Sequence, residues 1–196
     1  MQYYNPHFLI CTCFGIGKFF KKCPGTIGSL LAIPISYLIS SISLKLVNLF
    51  LPSLSNNYIA LYIAPIVLLC ALFIIGSYSS EKYSEEIGKK DSKEIIIDEI
   101  VAQSLCLFIT IPLTFALIYT NIHGKVIYYD IVLLASISAN IALFRFFDII
   151  KPWPIKLAES KLQNGFGVMF DDILAALFSV IIYFASLLIL IDLYAK

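Results

Sequence analysis

Long stretches without a charged residue are the feature that most constrains how this chain can fold. No Asp, Glu, Lys or Arg occurs at residues 23–44, 46–80, 100–124, 131–144 or 173–191. About 20 consecutive apolar residues are enough for a helix to cross the hydrocarbon core of a bilayer. Hydrophobic residues make up 60% of the 196 residues and charged residues 14%, whereas soluble domains have about 45–50% and about 25%. The sequence therefore predicts a membrane protein.

The charge-free runs predict an all-α fold, a polytopic helical membrane bundle with about five membrane-associated helices. The predicted spans are residues 29–50, 58–78, 99–120, 127–147 and 173–193. Two of these segments could instead be interfacial or re-entrant, because they contain or adjoin charged residues. Lys45 lies near the end of the first, and Asp130 and Arg145 bracket the fourth. Because no internal repeat or low-complexity tract divides the chain, residues 1–196 are interpreted as a single membrane domain.

Basic residues divide unevenly between the two ends of these spans. Most of the 14 Lys and Arg residues lie on the side that holds residues 1–28, 79–98 and 148–172. The other side holds Lys45, Lys125 and Lys196. By the positive-inside rule, the first side is cytoplasmic, and we expect the chain to lie in a bacterial cytoplasmic (inner) membrane with its site facing the cytoplasm. Residues 79–94 are predicted to form a charged loop there, or a short amphipathic helix.

The sequence supports neither nucleic-acid binding nor a structural role for the cysteines. The net charge of +1 provides no broad basic field, so nucleic acid is not an expected partner. The five cysteines form no Cys-x-x-Cys pair, so neither a zinc site nor a disulfide framework is predicted.

Four polar segments converge on the predicted cytoplasmic face. They are Pro24–Ser29 before the first span, Asp98-Glu99 at the start of the third, Arg145–Lys151 at the end of the fourth and Asp171-Asp172 at the start of the fifth. This convergence depends on the number of spans but was not used to choose them. It therefore predicts a functional site on that face.

Five carboxylates are the candidate catalytic residues of this site: Asp98, Glu99, Asp148, Asp171 and Asp172. So many acidic groups at one membrane boundary would repel one another without a cation. Oxygen ligands suit a hard divalent ion, and Mg²⁺ typically pairs one or two carboxylates with substrate phosphate oxygens. The candidate metal ligands are Asp98, Glu99, Asp171 and Asp172. The alternative is that an acidic residue in each pair only complements a helix macrodipole.

The segment around Arg145 carries the candidate phosphate-binding cations. Arg145, Asp148 and Lys151 are spaced three residues apart, so they share one face of a continuing helix. Pro152-Trp153-Pro154 is predicted to end that helix. Arg145 would bind phosphate as a planar fork and Lys151 as a point charge. The alternative is an intrahelical salt-bridge ladder with Lys151 snorkelling to the interface.

The segment Pro24–Ser29 resembles a small-residue turn that leads into a helix, with Thr26 or Ser29 available as the N-cap. Exposed backbone N–H groups in such a turn bind anions. Thr26, Gly28 and Ser29 are therefore candidate phosphate-binding residues, and simple helix capping is the alternative interpretation.

Taken together, these segments are similar to the phosphatidylglycerophosphatase A family of bacterial membrane lipid phosphatases. The resemblance rests on PGTIGSLLAIP at 24–34, IDEIV at 97–101, FRFFDIIKPWPI at 144–155 and GFGVMFDD at 165–172. It departs from the family at Ala102-Gln103, where a glycine is expected, and at Lys18–Lys22, which lengthens the approach to Pro24.

The resemblance implies hydrolysis of phosphatidylglycerophosphate to phosphatidylglycerol and inorganic phosphate, with Mg²⁺ as the cofactor and a phospholipid of the membrane as the substrate. It assigns the acidic, basic and small-residue positions of the family to the candidate residues named above. The residues leave open whether a carboxylate activates water or itself attacks phosphorus. The oligomeric state is not predicted.

The alternative from another functional class is a small cation-coupled membrane transporter or channel. That reading requires acidic residues along a path through the membrane, whereas the acidic residues of this chain gather at one interface. A histidine-based phosphatase is not supported, because His7 and His123 lack flanking arginines. A non-catalytic scaffold is the remaining alternative.

Overall fold

The computed structural model describes residues 5–54, 58–89, 92–121 and 128–195, and within those ranges it contains helices and turns but no β-strand. The predicted all-α fold is confirmed. In chain order the helices are α1 (Pro6–Cys11), α2 (Ile16–Phe19), α3 (Pro24–Phe50), α4 (Tyr58–Ile87), α5 (Ile97–Asn121), α6 (Tyr129–Ile150), α7 (Ile155–Lys161) and α8 (Gly165–Ala195).

Five of these helices, α3, α4, α5, α6 and α8, are long and apolar enough to cross a membrane. This number agrees with the five predicted spans. The two spans that charged residues had left open, α3 and α6, are continuous helices of 27 and 22 residues. Pro34, Pro65 and Pro112 lie inside α3, α4 and α5, as membrane helices tolerate.

Two predicted boundaries are wrong in the same direction, because helices extend beyond the charge-free runs. Residues 79–87 were expected to lie in a loop or a separate short helix, but they continue α4 until Gly88, whose φ of 64° ends it. Likewise, α8 begins at Gly165, where Asn164 Oδ1 accepts a hydrogen bond from the Gly167 N–H at 3.0 Å. Asp171 and Asp172 therefore lie within α8 rather than at its start.

Helix α5 is the centre of the bundle and contacts α3, α4, α6 and α8. Half of the residues in its most apolar stretch are buried, a larger share than in the other four membrane-spanning helices. The short α1 packs on α4, and the Cys11 carbonyl accepts a hydrogen bond from the Ile96 N–H at 2.8 Å. A core cluster that includes Phe8, Tyr83 and Met169 joins these parts. This packing fixes the beginning of α5 beside the beginning of α8.

Candidate active site

The first turn of α5 carries two of the predicted acidic residues. Asp98 and Glu99 lie between Ile96 and Ile100, which are fully buried and fix this turn in the core. Asp98 is only 8% exposed, and its Oδ1 accepts a hydrogen bond from the Glu99 backbone N–H at 3.0 Å. The interaction expected of a carboxylate at a helix start therefore accounts for Asp98 alone.

The second turn of α8 brings two more acidic residues to the same place. Asp171 and Asp172 are both buried, and successive residues of a helix point in directions about 100° apart. Asp172 faces α5, so that one oxygen from each of Asp98, Glu99 and Asp172 lies within 4.8 Å of the others. Asp148 is another charged neighbour of Asp172. The structure therefore brings these carboxylates together at one end of the bundle.

The three carboxylates Asp98, Glu99 and Asp172, called the carboxylate trio below, fit a metal ion. Ionised carboxylates at this separation repel one another strongly where water is excluded. Glu99 Oε2 is buried and has no hydrogen-bond partner among the described residues. A set of oxygen donors with an unpartnered buried oxygen suits a hard divalent cation such as Mg²⁺.

Arg145 belongs to α6, and its side chain extends toward the carboxylate trio. Its Nη1 is 2.7 Å from Asp148 Oδ2 and 3.9 Å from Glu99 Oε1. The first contact is the predicted pair across one helical turn. Because Arg145 also lies near Glu99, its guanidinium borders the trio and does more than form an ion pair within α6.

Lys151 does not continue that ladder, so the predicted alignment of Asp148 with Lys151 is wrong. Helix α6 ends at Ile150, and Lys151 adopts a left-handed conformation with a φ of 45° before Pro152. Its Nζ instead lies 2.6 Å from Asp171 Oδ2 and 2.9 Å from Glu159 Oε1. Burial lowers the pKa of Lys151, but the hydrogen bonds and charges of Asp171 and Glu159 outweigh it and raise that pKa above its usual value. Lys151 therefore stays charged at neutral pH.

The segment Pro24–Ser29 forms the first turns of α3 rather than a turn that precedes the helix. Cys23 is the N-cap and makes no side-chain capping bond, so the predicted cap at Thr26 or Ser29 is wrong. Proline is favoured at the first helical position because it lacks the N–H that would be unpaired there. The hydroxyl of Ser29 is buried and donates to the Gly25 carbonyl at 3.1 Å.

Two glycines let this end of α3 approach the acidic residues closely. A Cβ added to Gly25 would collide with Glu99 Oε1 and would lie 2.6 Å from Arg145 Nη1. At Gly28 the added atom would lie 3.1 Å from Glu99 Cβ. A side chain at either position would therefore force Glu99 or Arg145 to shift, and Gly28 packs closely against Glu99.

An open cavity of about 720 Å³ joins these groups. Its wall includes Thr26, Asp98, Glu99, Arg145, Asp148, Lys151, Asp171 and Asp172. Of the candidate residues, Gly28 and Ser29 lie outside the wall. Asp171 lines the cavity but is not part of the carboxylate trio, because its Oδ2 contacts Lys151.

Four further charged residues of the wall were not predicted from the sequence: Lys21, Lys22, Lys93 and Glu159. Glu159 reaches the cavity because the chain turns at Pro152–Pro154 and places α7 beside Lys151. No local sequence pattern predicts the contact between Glu159 and Lys151, because it depends on the direction of this turn. The pair Lys21-Lys22 did have a signal, because it stands directly before the conspicuous segment that begins at Pro24.

Comparisons with known proteins agree on one family. The family model described as phosphatidylglycerophosphatase A matches residues 9–187. A phosphatidylglycerophosphatase A of Haemophilus influenzae is 33% identical over 92% of this chain and 88% of its own length. The Escherichia coli protein of that name is 30% identical over 92% of this chain and 83% of its own length.

A third relative carries a different substrate in its name. This Bacteroides thetaiotaomicron protein, whose name proposes a phosphatidylinositol-3-phosphatase, is 31% identical over 89% of this chain and 89% of its own length. No solved structure gave a significant match to the chain.

Proposed function

Because the chain belongs to the phosphatidylglycerophosphatase A family, we propose that it hydrolyses phosphatidylglycerophosphate to phosphatidylglycerol and inorganic phosphate with Mg²⁺ as its cofactor. The observation that carries the proposal is the buried carboxylate trio beside Arg145 and Lys151 in one cavity. The protein is a multi-pass membrane phosphatase, and its substrate is a lipid of that membrane.

Asp98, Glu99 and Asp172 would hold Mg²⁺. When bound, the ion supplies Lewis-acid stabilisation of negative charge on the phosphoryl oxygens. Asp171 has a different role, since it holds the Lys151 ammonium through the 2.6 Å contact. This division narrows the predicted ligand set of four carboxylates to the three that face one another.

Arg145 and Lys151 would bind the non-bridging oxygens of the terminal phosphate. Phosphoryl transfer depends mainly on positioning and on neutralising charge in the transition state. Asp148 orients the Arg145 guanidinium at 2.7 Å, while Asp171 and Glu159 together orient Lys151. Both cations are thus held in place before the substrate arrives, which reduces the cost of ordering them. The leaving group is the glycerol oxygen.

The position of the cavity suits a lipid substrate. It lies where α5 and α8 begin and α6 ends, so the acyl chains can stay in the bilayer while the headgroup reaches the carboxylates. The excess of Lys and Arg on this side supports an orientation toward the cytoplasm, in a bacterial inner membrane.

The transporter alternative is not favoured. A cation path would need acidic groups near the middle of the bundle. In the part of α5, α6 and α8 that the structure describes, the buried polar groups at that depth are neutral, such as Thr114, Ser136 and Tyr183. The acidic residues Asp130 and Asp192 lie near the ends of α6 and α8 that are far from the cavity.

The direct test measures phosphate release from phosphatidylglycerophosphate by the detergent-purified protein, with Mg²⁺ and with a chelator. We expect activity that requires Mg²⁺ and that falls about 10³-fold in Glu99→Gln, because that variant removes one charged ligand. Asp130→Asn is the matched control, since Asp130 is an exposed carboxylate far along α6 from Arg145. A folded wild-type protein that releases no phosphate would disprove the proposal.

A further inference from the structure

Three lysines of the cavity wall differ from the two cations already described. Lys21, Lys22 and Lys93 are exposed and line the same cavity as the carboxylate trio. None of them lies within 4.0 Å of a described carboxylate, whereas Arg145 and Lys151 are each paired with acidic residues. Their positive charge is therefore available to an anion that enters the cavity.

The lysines stand on segments that are anchored close to the site. Lys22 is three residues before Gly25, which packs against Arg145, and three residues span at most about 11 Å. Lys93 precedes Glu94, whose Oε2 accepts a hydrogen bond from the Tyr83 hydroxyl at 3.0 Å. Both segments are thus fixed on the protein rather than on a free tail.

The chemistry of the proposed substrate calls for a second anion site. Phosphatidylglycerophosphate carries a terminal phosphomonoester and, across one glycerol, a phosphodiester that is also negatively charged. The carboxylate trio, Arg145 and Lys151 account for the monoester only. Arg145 and Lys151 are assigned to the monoester, and each is also paired with an acidic residue. They therefore leave no further cation for the diester.

We propose that Lys21, Lys22 and Lys93 bind the phosphodiester of the lipid substrate while its terminal phosphate lies at the carboxylate trio. This inference rests on the proposed function. The lysines then select lipids whose phosphomonoester is separated from the diacylglycerol by a second phosphate. They contribute to binding and do not take part in cleavage of the P–O bond.

The test is a kinetic comparison in neutral detergent micelles, where substrate is expressed as a mole fraction and attraction of the protein to an anionic surface is absent. The triple variant Lys21→Gln, Lys22→Gln, Lys93→Gln is compared with the double variant Lys156→Gln, Lys161→Gln, whose lysines lie on α7 outside the cavity wall. Inhibition by phosphatidylglycerol, which keeps the diester and lacks the terminal phosphate, is measured in parallel with inhibition by inorganic phosphate.

We expect the triple variant to raise KM for phosphatidylglycerophosphate about tenfold with a much smaller change in kcat, since each exposed ion pair contributes a factor of about two to five. Inhibition by phosphatidylglycerol should weaken by a similar factor, while inhibition by inorganic phosphate should weaken far less.

An unchanged KM, a loss confined to kcat, or an equal rise of KM in the α7 double variant would overturn the inference while leaving the proposed function in place. A wild-type protein that is inactive on phosphatidylglycerophosphate would instead remove the proposed function, and the inference with it. Equal weakening of both inhibitors would also contradict a site for the diester.

Discussion

Helices α5, α6 and α8 carry buried polar groups at two depths, and the two sets are built in different ways. In the middle of the bundle the Tyr183 hydroxyl contacts Thr114 Oγ1 at 2.8 Å and donates to Ser136 Oγ at 2.9 Å. At the cavity end, Glu99 Oε2 has no partner within the described residues, although two more carboxylates lie nearby. The hydroxyl set is neutral and paired, whereas the acidic set is ionisable and crowded.

The difference separates groups that stabilise the bundle from groups that serve chemistry. A paired hydroxyl in a membrane helix contributes to stability, because its hydrogen bonds are satisfied inside the protein. Crowded buried carboxylates destabilise the fold unless a ligand binds them, and such local conflicts are typical of functional sites. Substitutions at the two depths should therefore affect different measurements.

The largest effect is expected from Asp172→Asn at the cavity end. Loss of this carboxylate removes a member of the trio, and we expect kcat/KM for phosphatidylglycerophosphate to fall about 10³-fold. The free energy of unfolding in mixed micelles should stay the same or rise, because one of several mutually repelling charges is gone. Loss of stability together with activity would show that the trio is structural.

A smaller loss is expected when the ion pair beside the trio is broken. Asp171→Asn leaves the partly buried Lys151 without its 2.6 Å partner, so we expect about a 10²-fold loss of kcat/KM. Here the free energy of unfolding should also fall, by about 2 kcal/mol, since the partly buried Lys151 keeps only the more exposed Glu159 as an acidic partner. Thermal unfolding and steady-state rates measured on the same preparations distinguish this pattern from that of Asp172→Asn.

The sequence was sufficient for the membrane fold and for most of the charged site. Runs without charge give the number of spans because a charged side chain at the centre of a bilayer is costly. Once the spans alternate in direction, Asp98, Arg145 and Asp172 must meet at one end. These conclusions depend on the chain crossing a membrane and hardly at all on packing detail.

Contacts that depend on turns could not be predicted in the same way. Lys151 was placed on the face of Asp148, but a left-handed residue ends α6 and directs Lys151 to Asp171 and Glu159 instead. Helical spacing gives neighbours only for residues inside a helix, and it does not predict the direction of a side chain just after the helix ends. The start of α8 was missed because the predicted span was taken from the charge-free run that follows Asp171 and Asp172. The turns before this pair contain Gly165 and Gly167, which have low helix propensity, although Asn164 provides a cap.

Close approach of backbone to the site offers a third test. In Gly25→Ala the new methyl group would collide with Glu99 Oε1 and lie 2.6 Å from Arg145 Nη1, so both side chains have to shift. We expect kcat/KM to fall about tenfold, since a displacement of a positioned cation by less than an ångström is enough for such a loss. Wild-type kinetics in this variant would mean that Arg145 and Glu99 can move without consequence, contrary to the roles proposed for them.

The smallest effect on catalysis and a measurable effect on stability are expected at the middle of the bundle. Tyr183→Phe removes the hydroxyl between Thr114 and Ser136, which then lose a partner in a buried setting. We expect the free energy of unfolding to fall by about 1 kcal/mol and kcat/KM to stay within about twofold of wild type, because these groups do not line the cavity. Tyr119→Phe is the matched control, since Tyr119 is 60% exposed. A strong loss of activity in Tyr183→Phe with stability preserved would break the comparison, because the neutral set would then belong to the catalytic apparatus rather than to the scaffold beneath it.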